Sequence, residues 1–241
     1  MRATTWEFKN RAFLIGIVFF VGFGLYFVDH ENATAVLSNT LERPLGVGAD
    51  VIARVLYSVA TALLALAALI RTWASAYLHS TVVYASELKT DTLVAGGPYR
   101  FVRNPLYFAN VLLAIGMGTM MSRSGFIVGV LAMLIFCYRL IFREEAELAQ
   151  AQSSGYLAYS RAVPRLWPSF IARVSDSGQR ADWKAGFIAE SWYWGFAVAL
   201  ALFTITLRIK WFFIGTAVAV GMLVAFSSFV EKSISRKSVS R

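Results

Sequence analysis

Six apolar runs constrain this chain more than any other feature. Four of them, residues 12–28, 51–73, 187–207 and 211–230, approach or exceed about 18 mostly apolar residues, the length at which a helix crosses about 30 Å of hydrocarbon. Two shorter runs, residues 106–121 and 126–142, are separated only by SRSG, which fits a tight helical hairpin that need not reach fully across. Composition agrees: 58% of residues are hydrophobic and 15% charged, far from a soluble domain. The fold class expected is therefore all-α, a polytopic membrane protein with about six transmembrane helices.

Basic residues set the expected orientation, because cytoplasmic loops carry the excess of Lys and Arg. With both termini cytoplasmic, 18 of the 23 basic residues fall on that side. Arg43, Arg54, Arg123, Arg208 and Lys210 fall on the other, the last two in a very short loop. A signal peptide is the alternative for the first run, since ATA at 33–35 resembles a cleavage site, but the run is long for that and DHEN intervenes. NAT at Asn32 matches a glycosylation acceptor, a triplet common by chance.

Other chemistries are excluded by what the chain contains. The single cysteine, Cys137, lies in an apolar run, and His30 and His79 are the only histidines, so no intramolecular disulfide and no cluster with metal-ligand spacing is expected. The net charge of +9 sits beside the spans rather than in a free basic domain. It points to the bilayer and its anionic headgroups, not to nucleic acid.

The two sizeable polar segments, residues 74–105 and 143–186, fall on the same expected face, so chemistry belongs where they meet. In the first, Gly96, Gly97 and Pro98 are turn residues, and Pro105 fits the first turn of the following helix. Asn104 reads first as its cap. Tyr99, Arg100, Arg103 and Tyr107 are singly ordinary interfacial anchors. Clustered at a helix N-terminus, they suggest a cavity. In the second, Arg143, Glu144, Glu145 and Glu147 extend a span into water, with a break expected at Ser153, Ser154 and Gly155. Adjacent carboxylates at a membrane edge are costly unless partnered.

Together, TLVAGGPY and RNPLY, followed by EEAEL, YLAY and VPRLWP, resemble the motifs of the isoprenylcysteine carboxyl methyltransferases and their relatives among membrane phospholipid methyltransferases. The resemblance spans residues 91–168. It implies a cytoplasmic-face pocket for S-adenosylmethionine and transfer of its methyl group to a lipid or lipidated acceptor. It implies that Asp91, Thr92, Leu93, Val94, Tyr99, Arg103, Asn104, Pro105, Leu106, Tyr107, Glu144 and Glu145 line that pocket, and that Arg139 or Arg143 faces the acceptor. Neither an isoprenylcysteine carboxylate nor a phospholipid amine is singled out.

Two departures stand out: Asn104 replaces the usual histidine, and Gln152–Ser153 the frequent Phe-Gly. The expected divisions are residues 1–90, N-terminal spans; 91–170, methyltransferase core; and 171–241, a C-terminal transmembrane hairpin. A sterol-type membrane reductase using NADPH and a transporter or non-catalytic membrane protein are the competing classes. Against the transporter, the span centres hold almost no ionisable groups, with Arg54 and Glu190 near ends.

Overall fold

The computed structural model describes residues 2–78, 95–151 and 153–239, which are helical nearly throughout. In chain order the helices are α1 Thr5–Lys9, α2 Arg11–Gly24, α3 Ala33–Leu45, α4 Ala49–Leu78, α5 Pro105–Gly118, α6 Arg123–Ala151, α7 Ser153–Ala162, α8 Trp183–Ala189, α9 Ser191–Thr206 and α10 Ile209–Val239. No strand occurs among the described residues. The break expected at Ser153, Ser154 and Gly155 is corrected: those three residues are helical and form the start of α7.

The six expected spans are all helical, but they differ in length. Three helices are long and apolar enough to cross a membrane: Ala49–Leu78, Arg123–Ala151 and Ile209–Ser228. A bent pair, α8 with α9, which break by 59°, is long and apolar enough to make a fourth if the two form one span. Arg11–Phe27 and Pro105–Gly118 are shorter. The short α5 is possible because it is buried on every side, with eleven of its fourteen residues inside the protein, as expected for a helix that is apolar all round.

Helix ends follow local chemistry. Asn32 caps α3 by accepting from the Ala35 N–H at 3.0 Å, and Gly46, at φ +61°, ends it in the left-handed conformation. Asp182 caps α8 through the Ala185 N–H at 2.9 Å. The Asn32 amide also donates to the Tyr26 hydroxyl and to the carbonyls of Thr119 and Met121. It thereby ties the start of α3 to the α5–α6 turn, so the side chain in the NAT triplet is committed to holding one end of the bundle.

Helices surrounded by lipid gain little from burying apolar surface and rely on close packing of small residues. A Cβ on Gly116 of α5 would lie 2.6 Å from Leu64 Cδ2 of α4. One on Gly195 of α9 would lie 2.8 Å from the Ala219 Cβ of α10. Two buried clusters join the apolar helices. Leu64, Ala67, Leu113, Met117, Tyr193 and Leu200 join α4, α5 and α9. Tyr107, Val111, Met133, Cys137 and Leu140 join α5 to α6, with Phe8 of α1 packed on them. Helix α5 belongs to both clusters, and the polar site lies at its N-terminal end.

Candidate active site

The Gly96–Gly97 pair sets the geometry ahead of α5. Gly97 has φ +55°, and a Cβ on either glycine would meet the Tyr77 ring of α4, at 2.9 Å for Gly96 and 2.5 Å for Gly97. Only glycine combines that backbone with so close an approach. The 3-10 turn Gly97–Arg100 thus lies on α4 and delivers the chain to Pro105, which starts α5 where its missing N–H is harmless.

Backbone hydrogen bonds then join the two polar segments. The Arg103 N–H donates to the Pro164 carbonyl at 2.8 Å, Ser169 N–H to Phe101 at 2.9 Å and Arg173 N–H to Arg100 at 2.9 Å. The Tyr159 hydroxyl of α7 donates to the Tyr99 carbonyl at 2.8 Å. Stretches some sixty residues apart therefore form one irregular layer over the ends of α5 and α6.

Adjacent residues on a helix point about 100° apart, and this separates the two glutamates. Glu144 faces α5 and accepts the Tyr107 hydroxyl at 2.6 Å. Glu145 faces the layer, with Arg103 Nη1 at 3.1 Å and Arg165 Nε at 2.9 Å. Asn104 stands at the cap position of α5, but its side chain makes no capping bond. Its amide donates instead to the Arg165 carbonyl at 2.9 Å and to Glu145 at 3.4 Å. The expected cap is corrected: Asn104 serves as a strut between α5, α6 and the second segment.

Beside this cluster opens a cleft of about 430 Å³ lined by Arg103, Phe142, Glu145, Tyr156, Leu157 and Arg165, among others. Tyr99 is 7% exposed, and its hydroxyl has no hydrogen-bond partner among the described residues. Burial, with Tyr159 and Glu144 nearby, pushes that hydroxyl far above the ordinary phenol range. It stays a neutral donor, and an orphaned buried donor is costly unless something completes it. Burial also raises the Tyr156 hydroxyl to about 12.

The remaining expected site residues are distributed as follows. Pro105 and Leu106 lie in the first turn of α5. Asp91, Thr92, Leu93 and Val94 lie outside the described residues. Arg139 and Arg143 engage the N-terminal segment: Arg139 Nη2 lies 2.9 and 2.8 Å from the two Glu7 oxygens. The Arg143 guanidinium lies 2.8 Å from Glu147 and stacks over the Phe8 ring. Both are held by α1 or by α6 itself rather than by the Tyr107–Glu144 cluster.

Five contributors were missed in the sequence. Tyr156, Tyr159 and Arg165 stand inside YLAY and VPRLWP, so the signal was present, but motif spelling alone does not say which member reaches the layer. Arg71 and Glu190 were missed differently. Glu190 is wholly buried at the α8–α9 bend, and its carboxylate is paired with Arg71 of α4 at 2.5 Å. Their spacing of 119 residues leaves no local pattern to find.

The fold and site define an all-α integral membrane protein whose polar cluster is built at helix ends from two distant segments. Residues 55–153 match the phospholipid methyltransferase family, which belongs to the isoprenylcysteine carboxyl methyltransferase-like group of membrane methyltransferases. The match covers α5, α6 and most of α4. The chain is similar to the cobalt-zinc-cadmium resistance protein CzcN of Cupriavidus metallidurans, at 30% identity over 129 residues, 50% of this chain and 57% of that protein. It is also similar to the nickel-cobalt-cadmium resistance protein NccN of Alcaligenes xylosoxydans xylosoxydans, at 25% identity over 133 residues, 54% of this chain and 62% of that protein. The chain thus spans less than two thirds of either relative. No solved structure matches.

Proposed function

We propose that this protein is a membrane methyltransferase that moves a methyl group from S-adenosylmethionine to a lipid-borne acceptor, an isoprenylcysteine-like carboxylate or a phospholipid amine. The observation that carries the proposal is the Tyr107–Glu144 bond at the head of α5, which lies inside the family-matched segment and beside the Glu145–Arg103–Arg165 cluster. In this proposal residues 91–170 carry the chemistry on the cytoplasmic face, residues 1–90 and 171–241 frame it, and both termini are cytoplasmic.

The donor set suits the cofactor. S-adenosylmethionine is a zwitterion with an added sulfonium and supplies an electrophilic methyl group. Glu145 is already matched by two guanidinium groups, whereas Glu144 is oriented by an uncharged hydroxyl. Glu144 is therefore assigned to the ammonium. Arg103 and the N–H groups of the first turn of α5, which lack a side-chain cap, suit the carboxylate. Tyr99 offers its orphaned hydroxyl from the same layer. The chain's contribution to an in-line displacement is alignment and exclusion of water.

The test is methyl incorporation from labelled cofactor into lipid extracts and prenylated cysteine analogues, comparing wild type with Glu144→Gln. Labelled lipid from wild type, and a rise of at least about tenfold in the variant's cofactor dissociation constant, are the expected results. No labelled product from any acceptor would overturn the activity, and an unchanged constant would remove Glu144 from its role.

A further inference from the structure

Among the described residues the Arg71–Glu190 pair is the most heavily partnered charge, and it lies outside the cluster described above. Glu190 sits where α8 and α9 bend by 59° and is 0% exposed. Its two oxygens take Arg71 Nε at 2.5 Å, Arg71 Nη2 at 3.1 Å and the Ser75 hydroxyl at 2.6 Å. The third guanidinium nitrogen of Arg71 donates to Asn110 Oδ1 at 3.0 Å. That same oxygen accepts the Tyr193 hydroxyl. The guanidinium also stacks over the Tyr193 ring, 4.5 Å from its centroid.

The surrounding backbone is shaped to make this possible. A Cβ on Gly186 would lie 2.7 Å from the Thr72 carbonyl, so only glycine lets α8 approach α4 so closely. The Asp182 N–H donates to the Ala76 carbonyl at 2.9 Å, and the Trp194 indole donates to Thr72 Oγ1 at 3.1 Å. A buried charge is expensive unless it is paired and hydrogen-bonded, and within membrane-spanning segments such charges are retained where they serve a function.

Asn110 is what connects this pair to the site. It stands on α5 one turn after Tyr107, and α5 has no side-chain cap at its start. Beyond the Asn104 strut at its start, two polar anchors set the rotation of α5: Tyr107 to Glu144 on one side, Asn110 to Arg71 on the other.

Resting on the methyltransferase proposal, we infer that Arg71 and Glu190 are positioning residues. Through Asn110 they hold α5 where Tyr107 meets Glu144, which makes the C-terminal hairpin part of the working site. A pair kept for stability alone behaves differently. Removing one buried partner destabilises strongly, but replacing both by apolar residues of similar volume is often neutral.

The test uses the full chain in lipid nanodiscs, comparing wild type with Arg71→Met, Glu190→Leu, the double variant and Asn110→Leu. Three quantities are measured: thermal unfolding, the kcat and cofactor KM of methyl transfer, and the alkylation rate of Cys137 by N-ethylmaleimide. Cys137 is the chain's one cysteine. It is buried, with Sγ 3.8 Å from the Tyr107 carbonyl and Asn110 beside it, so in the double variant, which keeps Asn110, its protection reports the seating of α5 without any turnover.

The single charge variants are expected to unfold at lower temperature and the double variant to recover. The double variant and Asn110→Leu should nevertheless alkylate about tenfold faster and lose about ten- to a hundredfold in kcat/KM. Wild-type Cys137 protection or wild-type kcat/KM in a folded double variant overturns the inference. If wild-type protein transfers no methyl group, the functional proposal fails, and Cys137 alkylation alone still decides whether the pair seats α5.

Discussion

Tyr107 and Glu144 meet at 2.6 Å, and this single bond orients the carboxylate assigned to the cofactor's ammonium. Tyr107→Phe removes the donor and leaves packing intact. A hydrogen bond to a charged group contributes about 1.5–3 kcal/mol, so a rise of at least about tenfold in cofactor KM is expected from steady-state kinetics. Glu145→Gln should instead lower stability more than affinity, because it uncouples Arg103 and Arg165 while leaving Glu144 in place; paired melting and binding curves check the split. At the N-terminus, the hydrogen bond from Arg139 and the Thr4 N–H hold the Glu7 carboxyl down at about 2, below its ordinary 4.5. A carboxylate with a lowered folded-state value stabilises fully above about 4.5 and loses that contribution as pH falls toward 2. The pair is partly exposed, so its worth is up to about 1 kcal/mol. Acidification from pH 5 to 2 is expected to lower the melting temperature of wild type more than that of Glu7→Gln, and parallel curves would contradict the assignment.

Among the elements, the turn ahead of α5 is the most sequence-sensitive. Gly97→Ala both forces an alanine to φ +55° and drives its Cβ into the Tyr77 ring. Left-handed strain costs about 1–2 kcal/mol before the collision is counted, so a drop of several degrees in melting temperature is expected, with release of the segment from α4 readable as faster proteolysis near residue 97. Helix α3 shows what periodicity failed to announce. It is short and mixed in polarity, and it is organised by Asn32, whose amide reaches the α5–α6 turn. In the sequence Asn32 looks like the first letter of a common triplet; only the fold reveals its three acceptors. Helix α5 was legible as an apolar run, and its shortness was anticipated, but its burial on every side follows from what packs around it.

Across the whole molecule, the C-terminal hairpin is tied to the core by a buried charge rather than by apolar contact alone. Removing residues 183–241 would strip Arg71 of Glu190 and of the Trp192 and Tyr193 rings that cover it, leaving an unpaired guanidinium on an apolar helix face. The truncated chain is expected not to accumulate in membranes, whereas truncation combined with Arg71→Met should recover part of the folded protein on fluorescence-detected size exclusion. Equal accumulation of the two truncations would show that the charge is not what ties the hairpin down. Apolar length, glycine and proline placement, and the order of polar motifs were enough to read an all-α membrane protein, its apolar helices and the two segments that meet, because those properties act locally along the chain. Which glutamate faces Tyr107, what Arg139 and Arg143 hold, and the pairing of Arg71 with Glu190 were decided by tertiary structure. Each depends on helix rotation and on neighbours far away in sequence, and a buried charge selects its partner by three-dimensional proximity and desolvation.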